Sequence, residues 1–273
     1  MSHAARNLHI AARDGLRASC IATPAAADPW PTALDFLASR LPTVTRGEWL
    51  ARLQAGKVLA ENGQSIAPHA PCPAGERLYY WREPRAEEPH IAAQEGILFQ
   101  DDLIVVADKP HFLPVTPGGR YARQTLLTRL QQRLGLNTLT PVHRIDRETA
   151  GLVLFCVQPQ HRGAYHALLR NQSLRKNYQA IAPLPPTPQT WPLTRRSRLI
   201  QTPGQFFTMC EAPDGPANSE THIQLQQTHG PWALYALQPV TGKRHQLRVH
   251  MAALGAPIMG DRLYPRVLES ATQ

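Results

Sequence analysis

At 273 residues and 42% apolar content, the chain can form one large or two unequal domains around a buried core. It carries 29 Lys and Arg against 20 Asp and Glu, a formal charge of +9, and such a surplus points to a polyanionic partner. No apolar run approaches the ~20 residues of a membrane span, the N-terminus lacks a signal-peptide core, and Cys20, Cys72, Cys156 and Cys210 fit neither a disulfide framework nor a zinc site. The expectation is therefore a cytoplasmic protein.

Residues 1–30 carry little periodicity and read as a loose leader or a short strand. From there the pattern sharpens. Leu34, Phe36, Leu37 and Leu41 recur at helical spacing before Pro42, and 46-RGEWLARLQAG-56 predicts a second helix that stops at Gly56. A short strand, an Asn62-Gly63 turn and a strand at 76-ERLYYW-81 complete a small α+β unit over about 31–81. The charged, proline-containing stretch 82–94 reads as a linker. The expected domains are 1–90 and 91–273.

Beyond the linker, 97-ILFQDDLIVVADKP-110 predicts a β-hairpin. A helix is expected over 123–134, a buried strand at 151-GLVLFCV-157, a helix at 161–172 and a strand at 175–183. The proline-rich stretch 183–218, with the basic run 195-RRSR-198, predicts loops and irregular hairpins. A strand at 232–240 and a helix at 245–255 follow. No βαβ rhythm appears, so the larger part reads as α+β around a mostly antiparallel sheet.

Three stretches carry candidate chemistry. In 143-HRIDRETAG-151, Asp146 lies between Arg144 and Arg147, just ahead of the predicted strand. Cationic neighbours keep a carboxylate ionised, able to act as nucleophile or base. Taken alone, such a loop is more often a surface ion pair. The second stretch sets Lys243, Arg244, His245, Arg248 and His250 at the opening of a helix, as an anion cradle or a basic solvated face. Arg248 sits on an otherwise apolar helix and needs a carboxylate partner. Tyr178, in 176-KNYQA-180, is either a core tyrosine or a ring for stacking on a base.

Together these stretches resemble the RluA-type RNA pseudouridine synthases, in order from about Ile97 to Pro265. IVVADKPHFLPVTPGG is similar to the family's early hairpin and loop, HRIDRETAG to its H-R-L-D-x-x-T-S-G, and TGKRHQLRVH with the following GDRLY to its G-R-T-H-Q-I-R-x-H block and tail. Ile145 for Leu, Ala150 for Ser and Lys243-Arg244 for Arg-Thr are the departures, together with Pro114 in the early loop. The resemblance implies the pseudouridine synthase fold, with Asp146 as the catalytic carboxylate. Tyr178 would stack on the target base, and Arg248 would pair with the aspartate. Arg144 would help displace the flipped nucleotide, and Leu247 and Ile145 would line the pocket. His143, Lys109, Lys176, Lys243, Arg244 and His245 would contact RNA.

The implied reaction turns uridine into pseudouridine in ribosomal or transfer RNA, on a base flipped from its stack. It is an isomerisation, so neither cofactor nor metal is expected, and the expected assembly is a monomer. Whether Asp146 attacks C1′ or takes a proton from C2′ stays open. Residues 34–64 resemble, more weakly, the small RNA-binding domain of the ribosomal-protein alpha-L type. One alternative is a non-catalytic RNA-binding or ribosome-assembly protein of the same fold, which would not need Asp146. The other is a metal-dependent hydrolase, but His161/His166 and His245/His250 are each five apart, off a shared helical face, and no acidic ligand accompanies them.

Overall fold

A computed structural model describes residues 10, 18–25, 30–81 and 88–268. Most of the expected leader, part of the expected linker and the last five residues lie outside the described residues. The chain forms two compact units, 1–159 and 160–273.

The first unit opens with β1 (Ser19–Ala22), α1 (Ala33–Arg40), α2 (Arg46–Gln54), β2 (Val58–Leu59) and β3 (Arg77–Tyr80). The strands make an antiparallel sheet in the order β1-β3-β2. Thr45 and Glu48 close a capping box that starts α2. Trp49, Phe36, Leu37 and Leu78 are buried together beneath these elements, and the Trp49 ring meets Tyr80 edge-on at 5.2 Å.

A second sheet follows: β4 (Gly96–Gln100), β5 (Ile104–Lys109), then α3 (Leu126–Leu134), β6 (Thr140–Pro141) and β7 (Gly151–Cys156). Its order is β4-β5-β7-β6, all antiparallel. Leu126 and Leu130 of α3 pack on Val105, Ala107, Val153 and Phe155, and Gly135 takes the left-handed conformation (φ 66°) that ends the helix. Part of the expected linker is firmly held. Glu88 accepts the backbone N–H groups of Ala122, Arg123 and Gln124, and Arg129 donates to the carbonyls of Ile91 and Ala93. Polar anchoring of this kind leaves no apolar period to read.

The second unit contains α4 (Arg162–Arg170), β8 (Tyr178–Pro183), β9 (Leu193–Gln201), β10 (Met209–Ala212), β11 (Ser219–His229), β12 (Trp232–Pro239) and α5 (Gln246–Ala253). Its antiparallel sheet runs β10-β9-β11-β12-β8. The 195-RRSR-198 run, expected among loops and irregular hairpins, lies in β9 of the β9–β10 hairpin, where Arg195 and Arg196 pair with Glu211 and Glu220 of the flanking strands. The eleven-residue β11 was not expected at all. Its inward residues Ser219 and Thr221 are small and polar, so the apolar alternation of a strand is missing there.

Candidate active site

Asp146 lies in the turn between β6 and β7, where its carbonyl accepts the Thr149 N–H at 3.1 Å. Gly151 (φ 122°) makes the sharp entry into β7. Lys109, the last residue of β5, is fully buried and donates to the carbonyls of Pro110, Leu113 and Arg147 at 2.9, 2.8 and 3.1 Å. His111 Nδ1 donates to the Glu148 carbonyl at 2.6 Å. One side chain at the end of β5 and one in the loop that follows thus grip the backbone immediately after Asp146.

This corrects the expectation for Lys109. With no accessible surface it cannot touch RNA, and its ammonium is spent on three carbonyls. Burial pulls its pKa down to about 8, against the charges of Glu148 and Asp146, which raise it. His143 is half-buried and accepts the Leu154 N–H at 3.3 Å, tying the loop to β7. Ile145 packs on the core under α3. Arg144 is exposed. Arg147 forks onto Glu148 at 2.7 and 2.9 Å and reaches the Tyr121 hydroxyl at 3.2 Å.

Tyr178 begins β8 opposite Leu237 and packs, with Leu247, against the core of the second unit. Lys176 crosses over the turn before α5, close enough that a β-carbon at Gly242 would lie 3.3 Å from its Nζ, and burial lowers its pKa. Arg248, on α5, is nearly buried, and the carboxylate partner its position demands is present. Asp261 accepts from Nε at 2.7 Å and Nη2 at 2.8 Å, a bidentate pair. Burial pushes the Asp261 carboxyl up. The Arg248 hydrogen bond and charge, with the N–H groups of Leu263 and Tyr264, outweigh that and hold it below the usual range. Arg248 also lies over the Tyr264 ring, 5.1 Å from its centroid.

The 243–250 cluster divides by role. Lys243 and Arg244 are exposed. His245, in a left-handed conformation (φ 53°), shares a 2.8 Å hydrogen bond with the Tyr264 hydroxyl. His250 is fully buried among Ser197, Ser219 and Thr221, and burial lowers its pKa to about 4, so it adds no positive charge at neutral pH. Gln246, which sequence reading passed over, accepts from the Thr241 hydroxyl and the Lys243 N–H and donates to Glu220 O and Thr221 Oγ1. It fixes the turn that presents Lys243 and Arg244. Asp261 and Tyr264 were also passed over as site residues, although they stand in the GDRLY tail. Among the described residues no cluster of three metal-ligating side chains occurs, and no helix is long and apolar enough to cross a membrane.

The profile of the RNA pseudouridylate synthase family matches residues 103–253, a span that runs from β5 to the end of α5. The chain belongs to that family. An uncharacterized RNA pseudouridine synthase of Synechocystis is 31% identical to this synthase over 232 residues, which is 85% of this chain and 78% of the relative. A mitochondrial tRNA pseudouridine(32) synthase of Saccharomyces cerevisiae is 31% identical over 182 residues, 66% of this chain and 39% of the relative. The solved structure of human RNA pseudouridylate synthase domain containing 4 aligns with a TM-score of 0.51 and 30% identity, covering 62% of the synthase and 68% of that chain. The fold is thus the α+β pseudouridine synthase fold, its strands paired here as one four-stranded and one five-stranded sheet.

Proposed function

We propose that this synthase isomerises a specific uridine in structured ribosomal or transfer RNA, with Asp146 as the catalytic carboxylate. In the bound complex Tyr178 stacks on the target base, and Arg248 balances the charge of the reacting groups. Arg144, Lys176, Lys243 and Arg244 meet RNA, where phosphate neutralisation helps offset the few kcal/mol that base flipping costs. The observation that carries the reading is the anchorage of the Asp146 turn by Lys109 and His111. A carboxylate held this way approaches the sugar in a pre-set orientation, and pre-orientation lowers the barrier without reorganisation.

The N1–C1′ bond breaks and a C5–C1′ bond forms; the hydrogen on C5 leaves to solvent and N1 gains one. Asp146 serves either as the nucleophile at C1′ or as the base at C2′. A transcript deuterated at C2′ separates the two, since only proton abstraction breaks that C–H bond. The central test is Asp146→Asn with transcripts tritiated at uracil C5, whose turnover releases tritium to water. We expect no release above background and an unchanged dissociation constant for RNA. Release at the wild-type rate would overturn the assignment.

A further inference from the structure

β9 and β10 form a hairpin whose paired strands end at Gln201 and Met209. The connecting turn is closed by its own hydrogen bonds, from Thr202 N to Thr208 O and from Gln205 N to Thr202 O. At its tip stand two consecutive aromatic side chains. Phe206 is 76% exposed, Phe207 is 36% exposed, and their rings meet edge-to-face at 5.5 Å. Phe206 gains little from folding at this exposure, and with Phe207 beside it the tip presents a contiguous aromatic surface rather than a single exposed hydrophobe.

The tip is tied to the motif block that carries Arg248. Arg244 Nη1 donates to the Phe206 carbonyl at 2.8 Å. Where the strand resumes, Met209 N donates to the Tyr264 hydroxyl at 2.8 Å, and that hydroxyl also bonds His245. The Tyr264 ring lies beneath Arg248. The backbone between the phenylalanines is therefore tied directly to the opening of α5, and the backbone just after them is tied to it through Tyr264. Of the cations around the hairpin, Arg195 and Arg196 pair with Glu211 and Glu220, whereas Arg244, which bonds the tip, and its chain neighbour Lys243 are exposed.

We propose that Phe206 and Phe207 are a nucleotide-stacking element that receives an unpaired base of the RNA substrate, outside the position of the reacting uridine, with Lys243 and Arg244 meeting its phosphates. Exposed aromatic faces beside cations suit single-stranded RNA, because every base offers a face for stacking and every nucleotide a charge. The proposal rests on the RNA-modifying function above and deepens it.

The test measures binding of pseudouridine-free transfer RNA and ribosomal RNA transcripts to the full-length protein in the Asp146→Asn background, so that turnover plays no part. F206A/F207A is expected to weaken binding about tenfold or more, from the usual contribution of one stacked base. F206L/F207L is expected to be equally weak, and F206W/F207W to restore affinity, since a ring rather than bulk is required. The slope of log Kd against log salt should stay the same in all three, because no phosphate contact is removed. With Asp146 intact, F206A/F207A should keep its turnover at saturating RNA within about twofold of the wild type, the rings acting in binding.

Unchanged affinity in F206A/F207A overturns the proposal, as does full restoration by leucine. So does a self-associating wild type that F206A/F207A renders monomeric, which would make the tip a contact between copies. The outcomes separate from those of the catalytic reading. A protein that turns over no RNA yet loses affinity in F206A/F207A keeps the stacking element and loses the assigned activity. An Asp146→Asn protein that is inactive, while the phenylalanine variants bind normally, keeps the activity and loses the element.

Discussion

Lys109 in the first unit, which holds the Asp146 turn, and Arg248 in the second, itself part of the proposed chemistry, are both buried cations, and the structure neutralises them differently. Three backbone carbonyls surround Lys109. A carboxylate grips Arg248 in two parallel bonds. Carbonyl dipoles offset burial only in part, so the ammonium loses much of its proton affinity and its pKa falls to about 8. A guanidinium keeps its proton at any physiological pH, and its charge holds Asp261 ionised. The first arrangement fixes a backbone and responds to pH. The second fixes a charge and does not.

Breaking the second arrangement has the larger expected effect. Asp261→Asn removes the carboxylate charge that grips Arg248 in two bonds, a loss of about 3–5 kcal/mol of stability. Misplacing the guanidinium should lower kcat on the order of hundredfold. Thermal unfolding and tritium release, measured on the same preparation, check both; a normal rate would mean that Asp261 does not position Arg248. Lys109→Met comes next. It strips three carbonyls of their donor, at about 1–3 kcal/mol for each one left buried and unsatisfied, offset by removing a buried charge. A net loss of about 2 kcal/mol and a roughly tenfold fall in kcat are expected. The RNA dissociation constant should not move, and a marked rise in it would restore Lys109 as an RNA contact.

The smallest effect sharpens the contrast through pH. Lys109 has a folded pKa of about 8 against an ordinary value of 10.5. Between these two values the unfolded chain binds the proton more tightly, so this residue's contribution to stability rises with pH across that window. Loop order goes the other way, because a neutral amine has two N–H groups for three carbonyls. The wild-type kcat should therefore decline a few-fold as pH rises through about 8, while Lys109→Met stays flat there. Equal profiles for the two proteins would show that the protonation state of Lys109 does not tune the loop.

Much of the fold was legible because its elements carry their own local signals. α2 has Thr45 and Glu48 at capping-box spacing, and β7 is a continuous apolar run. β9 and β11 were obscured for one shared reason. Their lateral contacts are ionic or polar: Arg195 and Arg196 against Glu211 and Glu220, Ser197 and Ser219 around His250. Such partners are distant in sequence and leave no period behind. Lys109 was misread for a related reason. A lysine at the end of a strand looks like a surface charge until the carbonyls that surround it are seen.

By itself, the sequence determined the family, the order of the motif blocks, the α+β class and the acid around which the proposed chemistry is built, since each is written in residue identity and short-range spacing. Only the tertiary structure decided which of the basic residues are available. Lys109 is consumed by backbone, Arg195 and Arg196 by carboxylates, and His250 is neutral through burial. Lys243 and Arg244 stay in solvent beside two exposed rings. Formal charge is a property of composition, but the charge a partner meets depends on desolvation and on pairing between residues far apart in the chain, and those exist only once the chain has folded.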